Sequence, residues 1–191
     1  MACYIDEILN EIPPNPSSIL DVGCGKGTVA ALIKTIATIW PEKCYIVGID
    51  IFAYLLNFAK RYYDDVIQAH ASFLPFRDKT FDAVISVEVL EHLTKREGYK
   101  MLAEIERITR KKIIITTPSH WVNMDKGLSL FDKRVREFMR HRSLWKKNEL
   151  EGLGYRVRGV KPVREWIPPL IARRFPYFAC GMMAIKVVNG E

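Results

Sequence analysis

Two groups of residues in this chain have types and spacings that suit chemistry. The first is Asp21-Val22-Gly23-Cys24-Gly25-Lys26-Gly27, an acid followed by glycines at three alternate positions. Glycine reaches positive φ and carries no Cβ, so such a loop lets the backbone pass very close to a bound molecule. The second is Glu88, Glu91 and His92. Spaced i, i+3 and i+4, they would share one face of a helix. Two carboxylates and an imidazole converging there could act as a general base with its supports, or as three ligands to a divalent ion.

The pattern around these residues indicates the elements that must hold them. Ile19–Val22 is an apolar run that suits a buried strand, and Thr28 to Ile39 is rich in Ala, Leu, Ile and Lys, which suits a helix. Strand, glycine loop and helix open a nucleotide-binding βαβ unit. The dinucleotide spacing G-x-G-x-x-G fails, because the third glycine comes one residue early at Gly27. The phosphate loop G-x-x-x-x-G-K-[ST] fails as well, because Gly27 follows Lys26. No pyrophosphate need be cradled. Tyr45–Asp50 reads as a second strand, again closed by an acid. Asp50 is placed to accept hydrogen bonds from ribose hydroxyls, or else to cap the following helix.

Further along, Phe52 to Tyr63 reads as a helix and Val66–His70 as a third strand. Phe81–Val87 is a fourth strand, Lys112–Thr117 a fifth, Tyr155–Val163 a sixth and Ala179–Val188 a seventh. Tyr4 to Ile12 forms a short leading helix stopped by Pro13 and Pro14, and Asn148 to Leu153 a helix ended by Gly154. Thr94 to Thr109 is amphipathic, with Tyr99, Leu102, Ile105 and Ile108 on one side. Strands alternating with helices predict a mostly parallel sheet covered on both faces, with ligands at the carboxyl ends of the strands. Asp21, Asp50 and Val87 then point to one edge.

The chain of 191 residues has ordinary hydrophobic content and no apolar run of membrane-spanning length, and it starts without the basic and apolar regions of a signal peptide. The four cysteines are scattered, with no C-x-x-C pair, which indicates reduced thiols and a cytoplasmic setting. Charge is lopsided: residues 1–90 carry a net −4 and residues 91–191 a net +11. That half suits an anionic partner such as RNA, or is simply a solvated basic face. In the stretch 133–145, arginines interleave with Phe138 and Trp145. This pattern suits single-stranded nucleic acid, or an amphipathic helix with Val135, Phe138 and Met139 in the core, and the core reading is preferred.

The glycine loop resembles motif I of the class I S-adenosylmethionine-dependent methyltransferases, whose first strand commonly ends D-x-G-x-G-x-G. His70-Ala71-Ser72-Phe73-Leu74-Pro75-Phe76 is similar to the family stretch D-A-x-x-L-P-F, with His70 where many members carry Asp. Phe81 to Leu93 is similar to the family's fourth motif. The resemblance covers residues 17–120 with specific motifs and the remainder by topology. It implies a Rossmann-like α/β fold: a seven-stranded, mostly parallel sheet with helices on both faces and the last strand antiparallel. It also implies a single domain over 1–191, with a cofactor half to about residue 118 and a substrate-facing half beyond. The implied cofactor is S-adenosylmethionine, held by Asp21, Gly23, Cys24, Gly25 and Gly27, by Asp50 and Ile51, by Ala71 and Ser72 at the adenine, and by Ser86 and Val87 at the methionine end. The family's Asp often meets the adenine amino group, and His70 departs from that.

Two subfamilies carry a similar E-x-x-E-H: the small-RNA 3′-terminal 2′-O-methyltransferases and the ubiquinone-pathway O-methyltransferases. His141, Trp145 and Glu149 fall in register with the RNA enzymes' H-x-F-E-W-T-R-x-E-F, and Ser143 and Leu144 depart from it. That resemblance implies a divalent cation such as Mg²⁺ held by Glu88, Glu91, His92 and His141. The catalytic residues expected are Glu88, Glu91 and His92. The expected function is methyl transfer to a small-molecule acceptor, at oxygen. The alternatives are a metal-assisted RNA ribose 2′-O-methyltransferase and a catalytically silent cofactor-binding scaffold. Between the last two strands, 164–178 is expected to act as a substrate lid.

Overall fold

The computed structural model describes residues 5–38, 40–121, 133–162, 168–176 and 179–188. Seven strands form one sheet: β1 (Ser18–Val22), β2 (Tyr45–Asp50), β3 (Asp65–Gln68), β4 (Phe81–Val87), β5 (Thr109–Pro118), β6 (Arg156–Pro162) and β7 (Ala179–Val187). Their order is β3-β2-β1-β4-β5-β7-β6. The five on the left pair in parallel, and β7 runs antiparallel to both of its neighbours. This is the expected sheet.

Alternation along the strands explains the two-faced core. Successive side chains of a strand point to opposite faces. In β1, Ile19 enters one apolar cluster and Leu20 the other; in β5, Ile114 and its neighbours Ile113 and Ile115 divide the same way. One cluster takes Ile8 of α1 (Ile5–Leu9), Ala30 and Ile33 of α2 (Thr28–Ala37) and Leu56 of α3 (Ala53–Ala59). The other takes Met101, Leu102, Ile105 and Ile108 of α4 (Lys95–Ile108), together with Trp145 and with Leu150 of α6 (Lys147–Gly152). Thr94 starts α4 with a reciprocal capping box to Glu97. Two more helices, α5 (Lys133–Met139) and α7 (Pro169–Arg174), lie in the C-terminal half.

Two local expectations are corrected. The helix after β2 stops at Ala59 rather than Tyr63; the chain then turns so that buried Tyr63 reaches Asp21. Glu88, Glu91 and His92 do not share a helical face. Glu88 sits at φ 57, just beyond β4, and only Leu90–His92 form a single 3₁₀ turn. Trp145, by contrast, is 1% exposed, which sides with the preferred core reading of its stretch over the base-stacking one. Of the expected lid, residues 164–167 and 177–178 lie outside the described residues. Among the described residues, no helix is long and apolar enough to cross a membrane.

Candidate active site

At the carboxyl ends of β1, β2 and β4 lies a cavity of about 310 Å³, a size that suits a small ligand. Its floor is Gly23 and Ile49. One wall is Asp50, Ile51, Phe52, Tyr54 and Leu55; a second is Ala69, His70 and Ala71; the far end is Glu88, Val89, His92 and Leu93. Phe138 and Met139 of α5 close the remaining side. Phe138 is pinned there by an edge-on contact with Phe52, ring centroids 5.6 Å apart.

The glycine loop is tied to the end of β2. Gly23 and Cys24 N–H donate to Ile49 C=O at 2.9 and 2.8 Å, and Gly25 N–H donates to Asp50 Oδ2 at 2.9 Å. Asp50 Oδ1 accepts from Phe52 N–H at 2.8 Å. Both oxygens therefore hold backbone, and the carboxylate keeps some acceptor capacity for a ligand. Burial pushes the Asp50 carboxyl above its ordinary range, against the pull of these amides. Asp50 thus braces the turn into α3 and lines the cavity, but it does not cap the helix: the N-cap is Phe52, without a side-chain cap bond.

Beyond the cavity's far end a second feature stands out. One atom each of Glu91, His92 and His141 lie within 4.8 Å of one another. Glu91 is 2% exposed. Its Oε2 accepts from Thr117 Oγ1 at 3.1 Å, while Oε1 is buried without a hydrogen-bond partner and lies 3.8 Å from His92 Nε2. Burial, and then the nearby Glu88 charge, raise the Glu91 carboxyl well above its ordinary range. His92 Nδ1 faces the Arg140 carbonyl at 3.3 Å. A carbonyl can only accept, so Nδ1 carries the proton and Nε2 keeps its lone pair. Burial holds both imidazoles below their usual range, His92 against the pull of the Arg140 carbonyl. They meet edge to face, 5.1 Å between centroids.

His141 reaches this cluster because the segment after α5 is stitched to the 3₁₀ turn. Arg142 and Ser143 N–H both donate to Glu91 C=O, at 2.7 and 3.1 Å. Ser143 Oγ accepts from Trp145 Nε1 at 3.0 Å, and Trp145 is buried over Gly98, where an added Cβ would stand 2.4 Å from the indole. Ser143, one of the two departures from the RNA-enzyme pattern, is therefore part of the clamp.

The model of the methyltransferase domain matches residues 20–115, half of the chain and all of the cavity except the α5 side. The chain belongs to the methyltransferase domain family. Among its relatives is tRNA (carboxymethyluridine(34)-5-O)-methyltransferase of Arabidopsis thaliana, 32% identical over 63% of this chain and 28% of that protein. Another is an O-methyltransferase of Pyrenophora dematioidea, 31% identical over 54% of this chain and 40% of that protein. The chain thus spans well under half the length of these relatives. The solved magnesium protoporphyrin IX methyltransferase of Synechocystis PCC 6803, with bound S-adenosylhomocysteine, has the same fold: TM-score 0.63 and 16% identity over 97% of this chain and 81% of that one.

Within this methyltransferase domain, Gly23, Asp50, Ile51, Ala71, Glu88 and His92 line the cavity as expected. The others do not. Asp21 is fully buried and accepts from Tyr63 Oη at 2.5 Å. Cys24 is buried in the core, and Gly27 makes room for Tyr62 and Ala59. Gly25 donates its amide to Asp50. Ser72 and Ser86 are buried and donate to Glu97 C=O and Val22 C=O, and Val87 packs against the core. Glu91 and His141 belong to the adjoining cluster rather than the cavity wall, and Glu88 is outside the three-residue group. Gly23 is glycine for packing: at φ 79, an added Cβ would lie 2.2 Å from Val89 Cγ2. Phe138 and Met139 wall the cavity and are not core, and Phe138 is 41% exposed. The expected site lacked Phe52, Tyr54 and Leu55, whose signal was the apolar run directly after Asp50, and Thr117, whose contact with Glu91 gives it a place there.

Proposed function

We propose that this chain binds S-adenosylmethionine in the cavity between the glycine loop and Asp50, and methylates a small-molecule acceptor at oxygen, presented beside Glu88 and His92. The carrying observation is the continuity of the two features: His92 both lines the cavity and belongs to the buried cluster. Residues 1–118 supply most of the cofactor side of one domain, to which Phe138 and Met139 of α5 add a wall. Asp50 offers lone pairs to ribose hydroxyls, and the aromatic and aliphatic side chains of 52–55 and 138–139 surround an apolar ring. The cofactor supplies a methyl group on a sulfonium, so the protein's task is chiefly alignment. His92 is neutral and locked by the Arg140 carbonyl, so its Nε2 lone pair can take the acceptor's hydroxyl proton.

A second reading is favoured by the partnerless Glu91 Oε1. A divalent cation held by Glu91, His92 and His141 would answer that atom and both imidazoles, and would supply Lewis acidity to the acceptor oxygen. The 3.8 Å between Oε1 and Nε2 is too long for a hydrogen bond. Two imidazoles and one carboxylate suit a transition-metal ion better than Mg²⁺.

Two experiments test the proposal. Asp50→Ala should weaken S-adenosylhomocysteine binding at least about tenfold by calorimetry; unchanged affinity would remove the ribose role. Methyl-labelled cofactor incubated with fractionated extract should label small metabolites. Label in RNA would replace that acceptor, and binding without transfer to any fraction would favour the scaffold. Repeating the assay with a chelator separates the two readings: only the cation reading predicts loss of transfer, restored by added Mn²⁺ or Co²⁺.

A further inference from the structure

The helix α7, between the last two strands, is the described part of the expected lid, and it does not reach the cavity: none of residues 168–176 lines it. The sheet nevertheless fixes where α7 lies. Pro118 pairs with Gly181, and Pro162 pairs with Ala179. Ser119 Oγ donates to the Ala179 carbonyl at 2.5 Å. The end of β6 and the start of β7 therefore stand at the carboxyl end of β5. That is the sheet edge where the cavity lies, and α7 joins the two strands there.

The side chains of α7 are open to solvent. Leu170 is 78% exposed, more than any other large apolar side chain among the described residues, and Ile171 and Phe175 are exposed beside it. Arg173 and Arg174 are exposed on the same helix. Residues 168–176 contain no acid. Trp121, three residues beyond β5, adds an exposed ring at this edge. Such a patch of apolar side chains favours a partner that takes it out of water.

We infer that α7 docks this edge of the sheet on an anionic lipid surface. Leucine and isoleucine offer no flat face for a base to stack on, which disfavours single-stranded nucleic acid. The exposed apolar side chains here fall far short of the roughly 20–30 residues per side of a stable protein interface. A lipid surface needs fewer. Each side chain that enters the acyl boundary adds its own burial, and adjacent arginines add attraction to the headgroup charge. The charge is complementary on the larger scale too, since residues 91–191 carry a net +11. The inference does not depend on the cofactor reading. Combined with it, an acceptor held in that surface meets the edge at which the cavity lies.

The test is sedimentation of the full chain with sucrose-loaded vesicles, one set of phosphatidylcholine alone and one with about one third phosphatidylglycerol. The wild-type chain should bind the mixed vesicles at least about tenfold more tightly than the neutral ones. Arg173→Ala with Arg174→Ala should lower that binding about tenfold or more. Leu170→Ser with Phe175→Ser should lower it by a similar factor at unchanged charge, which separates docking by α7 from adsorption of a basic protein at large. All four side chains are exposed, so the unfolding midpoint should hold. If a pair does not fold, Arg174→Ala or Leu170→Ser alone should show a loss of about threefold. Equal binding to both vesicle sets, binding to neither, or binding that the Leu170 and Phe175 pair retains overturns the inference. A concentration-dependent dimer, or a complex with polyuridylate, that the same pair abolishes assigns the face to a second copy or to nucleic acid and overturns it as well.

Discussion

Asp21 and Glu91 lie near the ends of neighbouring strands, in two regions that treat a buried acid differently. Both are almost wholly buried, and both carboxyls are pushed up chiefly by that burial. At Asp21 the surroundings answer: Tyr63 donates a short hydrogen bond, and the loop beside it is laced to β2 by three amides. At Glu91 they answer only half. Thr117 meets one oxygen, and the other faces a histidine nitrogen that holds a lone pair. A buried polar atom without a partner costs stability. The first region therefore reads as scaffold and the second as a place where a proton, a cation or an acceptor completes the pairing.

The largest expected effect tests the scaffold side. Burial raises the Asp21 carboxyl to about 7, from an ordinary value of 3.8. The folded chain thus holds a proton that the unfolded chain has released, and stability from this group is present below about pH 4 and lost as pH rises through 7. Asp21→Asn should match the wild type near pH 4 and exceed its stability by up to roughly 4 kcal/mol at pH 8 in urea unfolding. A variant weaker than the wild type at pH 8 would mean that the ionised acid is needed for folding, or that it meets a ligand.

The next effect tests the other side. Glu91→Gln should lower methyl transfer by about a hundredfold or more, with S-adenosylhomocysteine affinity within about threefold of wild type. Its stability at pH 8 should not fall, because a neutral amide replaces an acid that burial disfavours. Lost stability with retained transfer would make Glu91 a scaffold residue like Asp21, and the contrast between the regions would collapse.

A smaller effect sharpens the link between them. Gly98→Ala gains helix propensity but crowds the rigid Trp145 ring, so it should destabilise by about 1–2 kcal/mol net. Trp145 anchors Ser143, and Ser143 anchors the turn that bears Glu91. Transfer activity should therefore fall more than cofactor affinity does. Equal losses of both would show that the clamp serves the whole domain and not the cluster.

Residues with strong local patterns were legible in the chain itself. The run into Asp21, the three glycines and the second acid-closed strand at Asp50 led to the sheet and to the edge where the cavity lies. Legibility ended where a side chain had to choose between two environments. Asp21 and Asp50 close adjacent strands, yet one turns to Tyr63, 42 residues away, and the other borders the cavity. Phe138 and Met139 have the pattern of a core stripe and instead wall the cavity. Glu88, Glu91 and His92 have helical spacing, but the left-handed turn at Glu88 separates the first from the other two.

Strand, loop and helix order belong to the sequence because hydrophobic period and glycine placement act within a few residues. The tertiary structure alone decided which buried acid is paired and which is left with an open oxygen. It also decided that His141, carried in by two amides bonded to one carbonyl, stands beside His92. Those outcomes depend on packing between segments far apart in the chain, which no local pattern encodes.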